Sequence, residues 1–288
     1  MIIIVESGAT KTDWCAIQAD GKEISVKTAG MNIATMPADA ISAIINEAAP
    51  VLNPAGEKVT EVHFYAAGLI VPEGVKVPDS AKVLDAQLKA IWPDAEMEYA
   101  SDLLDAARAV CGHKPGIAAI MGTGSNSCFF DGEKIVKNVR SAGFILGDEG
   151  GGACLGRMFM ADFLKGLVPE PIASEFASTY QVDYMTVVKN VYKSEAPSKY
   201  LGSFAPWIME RYSTCDYMKN LIEQNFRNFI ERALKQYPID KYPVGVVGGF
   251  GNAHQAVMKK VAAEYGIKFS DIMATPISGL VKYHTGKN

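Results

Sequence analysis

Short runs of apolar residues alternate with polar turns at the start of the chain, and the same plan returns near its middle. Ile2-Ile3-Ile4-Val5 reads as a buried strand, followed by a small-residue turn at Ser7-Gly8-Ala9-Thr10, a second strand from Thr12 to Ile17, a turn at Asp20-Gly21 and a third strand from Glu23. Further on, Gly116 to Met121 leads into the turn Gly122-Thr123-Gly124-Ser125-Asn126, the strand Ser127 to Phe130, the turn Asp131-Gly132 and the strand Glu133 to Val136. An antiparallel meander is therefore predicted twice. A duplicated unit implies two related lobes whose Gly-rich turns face a shared cleft. Hairpins with Asp-Gly turns are common, so the repeat by itself leaves a chance pairing open.

Between the meanders, the pattern predicts a helix from Ala38 to Leu52, a buried strand from Val62 to Gly68, a helix from Ala81 to Ile91, and a strand from Glu96 to Ala100 ending at Ser101-Asp102. This alternation is what a parallel sheet requires. After the second meander the chain turns helical. Met218, Leu221, Ile222, Phe226, Phe229, Ile230 and Leu234 fall along one face of a helix predicted over 216–237, a core stripe. A last strand, Pro243 to Val247, runs into Gly248-Gly249-Phe250-Gly251 and a helix from Ala253 to Tyr265. Pro115-Gly116 is the predicted boundary, giving α/β lobes over 1–114 and 115–288. The short helix predicted from Pro276 to His284 has no evident partner in the sequence; packing back on the first lobe is one option.

With 288 residues, 49% hydrophobic and 21% charged, the chain has globular composition and length enough for two cores. A net charge of −4 without basic runs gives no footprint for nucleic acid or an anionic membrane. The N-terminus lacks the basic region of a signal peptide, and a cytoplasmic location is expected. Five scattered cysteines without a C-x-x-C pair fit reduced thiols. The four histidines, His63, His113, His254 and His284, lack zinc-ligand spacing, and no structural metal is expected.

Known Gly-rich nucleotide motifs do not fit. Thr10 rather than Gly precedes Lys11-Thr12, which excludes a Walker A loop, and Gly122, Gly124 and Ser127 lack the third glycine of a dinucleotide fingerprint. Both meander turns nevertheless gather small residues and hydroxyls, the general way a loop makes a nest for phosphate oxygens. Lys11 offers a point charge, and Thr10, Thr12, Thr123 and Ser125 offer hydroxyls, although a lysine beside a hairpin turn also reads as a solvated edge charge. Asp102 stands where a strand gives way to a helix. Two readings of it remain open, a helix N-cap and a base that takes the proton of an attacking hydroxyl. In Gly143-Phe144-Ile145-Leu146-Gly147-Asp148-Glu149-Gly150-Gly151-Gly152, two acids lie among glycines before a helix, a pattern that lets carboxylates closely approach a polyhydroxylated ligand or a Mg2+ shell, or that makes an acid-capped helix start after a loop. Gly248 and Gly249 could let backbone approach a flat ring, or make a plain strand-to-helix turn.

In order and spacing these stretches resemble the BadF/BadG/BcrA/BcrD-type ATPase family, and within it the N-acetylglucosamine kinase-like branch of the actin/hexokinase/Hsp70 superfamily. The resemblance spans nearly the whole chain. It rests on Glu6-Ser7-Gly8-Ala9-Thr10-Lys11-Thr12, Ser101-Asp102, Gly122-Thr123-Gly124-Ser125-Asn126 and Gly147-Asp148-Glu149-Gly150. It implies two actin-like (ribonuclease H-like) lobes, Mg2+ and ATP, and closure over the substrate. Asp102 would be the general base, with Glu6 and Asp102 organising the metal. Gly8, Ala9, Thr10, Lys11, Thr12, Gly122, Thr123, Gly124, Ser125, Gly248 and Gly249 would bind nucleotide. Asn32, Thr123, Asn126, Asp148 and Glu149 would contact an amino sugar of the N-acetylglucosamine or N-acetylmuramic acid type, the expected small-molecule partner. A homodimer is left open.

Two departures bear on these expectations. Glu6 stands where the family usually has Asp, so the acid reaches one methylene further. Ser141-Ala142-Gly143 replaces a Gly-Trp-Gly, removing an aromatic wall and implying either a roomier sugar pocket or one filled by Phe144. The alternative function is that of wider relatives that hydrolyse ATP to drive electrons into a dehydratase or reductase. Those carry cysteines for an iron–sulfur cluster, a context the cysteines here lack.

Overall fold

The computed structural model describes residues 1–8, 11–31, 33 and 36–286. They form two compact units, one comprising 1–114, 132–134 and the C-terminal segment from 276, the other 115–131 and 135–275.

The first unit begins with β1 (Ile2–Ser7), β2 (Lys11–Ile17) and β3 (Glu23–Ala29), continues through α1 (Ala38–Leu52), β4 (Glu61–Ala66), α2 (Lys82–Ile91), β5 (Glu96–Ser101) and α3 (Asp102–Cys111). Its sheet has the order β3-β2-β1-β4-β5. β1 pairs antiparallel with β2 and parallel with β4, and β4 is parallel to β5. The unbroken apolar run of β1 suits a central strand, and Ile3, Ile4 and Val5 are wholly buried. Trp14, Phe64, Leu84 and Leu88 complete the core on one side.

The second unit contains β6 (Gly116–Met121), β7 (Ser125–Phe130), β8 (Ile135–Val139), α4 (Gly143–Leu146) and α5 (Gly152–Leu164). Short helices follow, α6 (Ile172–Tyr180), α7 (Tyr184–Tyr192), α8 (Pro197–Gly202) and α9 (Ala205–Glu210), then α10 (Asp216–Arg232), β9 (Val244–Val247), α11 (Gly249–Ala253), α12 (Gln255–Ala263) and β10 (Phe269–Met273). The sheet order β10-β9-β6-β7-β8 repeats the plan of the first: a central strand, an antiparallel meander on one side and parallel strands on the other. The predicted stripe of α10 is buried from Met218 to Ile230, with Leu234 beyond it. The last helix, α13 (Ile277–Thr285), belongs to the first unit and lies so close to α3 that a Cβ on Gly279 would stand 2.3 Å from the carbonyl oxygen of Ala109.

Several boundaries differ from the sequence expectation. Ser125 and Asn126 belong to β7, because both pair across to β6, so the second turn is confined to 122–124. The helix predicted over 253–265 is α12, shortened to Gln255–Ala263, and the glycine turn before it forms the short α11 that ends ahead of His254; α10 ends at Arg232 ahead of a single 3-10 turn. β10 was not predicted: Ser270 and Asp271 interrupt its apolar pattern because it is an irregular edge strand exposed there to solvent.

Candidate active site

In the first unit, acids converge at the C-terminal ends of the central strands, the usual ligand-facing edge of an α/β sheet. Glu6 on β1 lies directly across from Asp13 on β2. Burial, reinforced by the Asp13 and Asp102 charges and opposed by Lys11, holds the Glu6 carboxyl up at about 7. Asp102 opens α3. The N-cap is Ser101, whose hydroxyl accepts a hydrogen bond from the Leu104 amide at 3.2 Å, so the reading of Asp102 as the cap is corrected. Burial raises the pKa of Asp102 against the opposing hydrogen bonds of the helix start. One turn later, Asp105 is 2% exposed, its Oδ1 lacks a hydrogen-bond partner among the described residues, and burial with the Glu6 and Asp102 charges pushes its pKa well up. Glu6 and Asp102 are an oxygen-only pair suited to a hard divalent cation held by one or two carboxylates plus phosphate. The orphaned oxygen and mutual repulsion of these acids fit a cation that would relieve them.

Other predicted residues of this unit are committed internally. Thr12 is wholly buried, its hydroxyl bonding the Ala29 carbonyl and the Ser7 hydroxyl, each at 3.0 Å, so the expectation that it points at phosphate is corrected for the side chain. Lys11 makes an ion pair with Asp13. The Gly8 amide donates to the Lys11 carbonyl, closing the first turn. Ala9, Thr10 and Asn32 lie outside the described residues.

In the second unit, the loop 122–124 is docked on the start of α5: the Gly152 and Ala153 amides donate to the Gly122 and Thr123 carbonyls at 2.9 and 2.8 Å. The Ser125 amide donates to Asp148 Oδ1 at 3.2 Å and its hydroxyl to the Glu149 carbonyl at 2.7 Å, so the predicted phosphate loop and sugar loop are one hydrogen-bonded structure. A Cβ at Gly124 would meet Asp148 Oδ2 at 2.8 Å, so a side chain there would push the Asp148 carboxylate from its place. Asp148 itself has φ of 56° and a pKa raised chiefly by burial. The Glu149 carboxylate faces Arg232 at 2.8 Å, and Asn126 accepts from its neighbour's amide and from Asn138; both side chains are engaged within the protein. Thr123 is exposed. Phe144 packs on the core, while Ile145 and Leu146 are exposed.

Gly248 and Gly249 join the same region. With φ of 132°, Gly248 comes so near β6 that a Cβ would stand 2.3 Å from the Met121 carbonyl oxygen. A pocket of about 420 Å³ is lined by Gly122, Thr123, Gly249, Phe250, Pro206 and His254, among others. Asp13, Asp105, Pro206, His254 and Asn225 were missed by the sequence reading. Asn225 is fully buried, accepts from the Gly150 amide at 3.0 Å and donates to the Gly151 carbonyl at 3.2 Å. A polar residue between Ile222 and Phe229 on an apolar helical face was the available signal.

No family model matches the chain, and no curated protein sequence matches it significantly. Among solved structures, it is similar to a Porphyromonas gingivalis protein provisionally assigned as an N-acetylglucosamine kinase, with 34% identity, covering all of this chain and 99% of that one at a TM-score of 0.88. A Chromobacterium violaceum protein with the same provisional assignment shares 17% identity, over 98% of each chain, at a TM-score of 0.74. A ROK family glucokinase from Streptomyces griseus, in complex with glucose and AMPPNP, shares 17% identity over 98% of this chain and 97% of its own, at a TM-score of 0.55. The latter two share the fold, which is that of the actin-like ATPases and hexokinases. From the first similarity, carried over the full length of both chains, the chain belongs to the N-acetylglucosamine kinase-like branch of the BadF/BadG/BcrA/BcrD-type ATPase family.

Proposed function

We propose that the protein is an ATP-dependent sugar kinase that transfers the γ-phosphoryl group to a hydroxyl of an N-acetylated amino sugar. The observation that carries this reading is the state of Asp102: Ser101 takes the helix cap, and burial makes the Asp102 carboxylate a better proton acceptor than a surface aspartate. In phosphoryl transfer the protein has little covalent chemistry to perform, so positioning and charge placement dominate. Asp102 accepts the sugar hydroxyl proton as that oxygen attacks phosphorus. Burial together with the Glu6 and Asp102 charges pushes the Asp105 pKa well up, which disfavours a second full negative charge beside Asp102. Glu6, with Asp102 beside it, would hold Mg2+, which neutralises charge on the transferred phosphates.

On the second unit, the pocket beside Phe250 and His254 suits a nucleobase, with the 122–124 loop serving the phosphates. Asp148 presents its carboxylate, held at Oδ1 by the Ser125 amide, to sugar hydroxyls from a loop backbone fixed by the Ser125 hydroxyl, the Ser141 carbonyl and Asn225. The exposed Ile145 and Leu146 supply apolar surface for an acyl substituent. The test is ADP release from Mg2+ and ATP with glucose, glucosamine, N-acetylglucosamine, N-acetylmannosamine or N-acetylmuramic acid. Marked stimulation by one N-acetylated sugar is expected. ATP hydrolysis indifferent to all of them would favour an ATPase that drives a redox partner.

A further inference from the structure

On the first unit, residues from three separated elements meet away from the acids described above. His63 on β4 stands opposite Glu98 on the edge strand β5, and His284 on α13 stacks on His63 with ring centroids 3.7 Å apart. We infer that His63, Glu98 and His284 form a binding site for a borderline transition-metal dication of the Zn2+ class, which ties the C-terminal helix to the sheet.

One donor atom from each of the three residues lies within 4.8 Å of the others. Donors around a tetrahedral zinc sit about 3.3 Å apart and each ligating ring holds the ion in its own plane, so closing the site takes a turn of the His284 ring out of its stack on His63 as well as shifts of roughly an ångström. The surroundings are those of a supported metal site, in which each ligating ring is held through its second nitrogen. His63 Nδ1 is 2.6 Å from Glu98 Oε2, while its Nε2 is 3.0 Å from Glu61 Oε2. His284 Nε2 is 2.7 Å from the Tyr65 hydroxyl, which also accepts from Arg108 at 2.7 Å. Arg108 pairs with the other Glu98 oxygen at 2.8 Å, leaving Oε2 for His63 or an ion. Two carboxylates against one guanidinium give the pocket a negative balance for a cation to offset. The absence of ligand spacing in the sequence, which led to the expectation of no structural metal, reflects only that the ligands come from β4, β5 and α13.

The test uses the full chain, stripped with EDTA and titrated with Zn2+ by calorimetry and with Co2+ by absorption. One equivalent is expected, with a nitrogen/oxygen-ligated Co2+ spectrum free of a thiolate band, and with Zn2+ raising Tm. Loss of a second-nitrogen partner typically weakens a site 10–100-fold, which is expected for Tyr65→Phe, and His63→Gln or His284→Gln should weaken binding by about 100-fold or more. No stoichiometric binding by the unsubstituted protein, a thiolate spectrum, or binding that survives both histidine substitutions would overturn the proposal. Should a variant fail to fold, the Co2+ spectrum of the unsubstituted protein decides. Because the readout is binding, the result stands apart from the kinase reading.

Discussion

At the residue scale, the proposed mechanism rests most heavily on Asp102 and Glu6. Asp102→Asn keeps the shape and removes the base, so turnover should fall roughly 100-fold or more while nucleotide binding is kept. Steady-state kinetics beside an equilibrium nucleotide titration separates the two, and full retained turnover would remove Asp102 from the mechanism. Glu6 makes a prediction about stability. Its carboxyl holds its proton up to about pH 7 when folded, against 4.5 ordinarily. Between those values the unfolded chain has lost this proton while the folded protein keeps it, so the unfolded state binds fewer protons and stability falls as pH rises through the window. Glu6→Gln should therefore reduce the loss of stability between pH 5 and 8 and stabilise the ligand-free protein at pH 8, by at most ~3 kcal/mol. Denaturant unfolding at both pH values reads this, and an unchanged difference would mean that Glu6 ionises normally.

At the scale of elements, the glycine loop around Asp148 depends on α10 and the strand-to-helix turn depends on one glycine. Asn225→Ala removes the partners of the Gly150 amide and the Gly151 carbonyl, at roughly 1–3 kcal/mol for each buried group left unpaired. The loosened loop should raise the sugar KM more than it lowers kcat; equal losses in both would assign Asn225 a role in the chemical step instead. Gly248→Ala places a methyl against the Met121 carbonyl in a backbone region closed to alanine, and about 3 kcal/mol or more of stability should be lost by thermal or denaturant unfolding. A tolerated alanine would show that β9 and β6 do not approach as described. The sequence was legible where periodicity dominates: α1, the β1 run and the α10 stripe emerge as expected because apolar spacing alone decides them. It was not legible where tertiary contact decides. Ser125 and Asn126 join a strand because β6 lies alongside, and Asn225 looks like a lapse in a core face until the glycine loop it holds is seen.

For the molecule as a whole, the paired meanders predicted from the first 140 residues correspond to two sheets of identical strand order. The repeat was readable because turn signals and buried runs are local. Of the two parallel strands that complete the second sheet, β9 was read from its apolar run, whereas β10 was not, since it is short, polar at its centre and paired with β9 at the sheet edge. Among candidate site residues, the places of Asp102 at a strand end and of Asp148 among glycines were readable, because both are local features of the sequence. Asp13 and Asp105 were not, because their importance comes from neighbours brought close by the fold. The central claim is phosphoryl transfer to a sugar, and the most direct measurement is the stoichiometry of ADP and phosphosugar, by mass spectrometry, with the most stimulating sugar. The account predicts one phosphosugar for each ADP and little ADP without sugar. ADP formed at the same rate in the absence of sugar, with no phosphosugar detected, would contradict it.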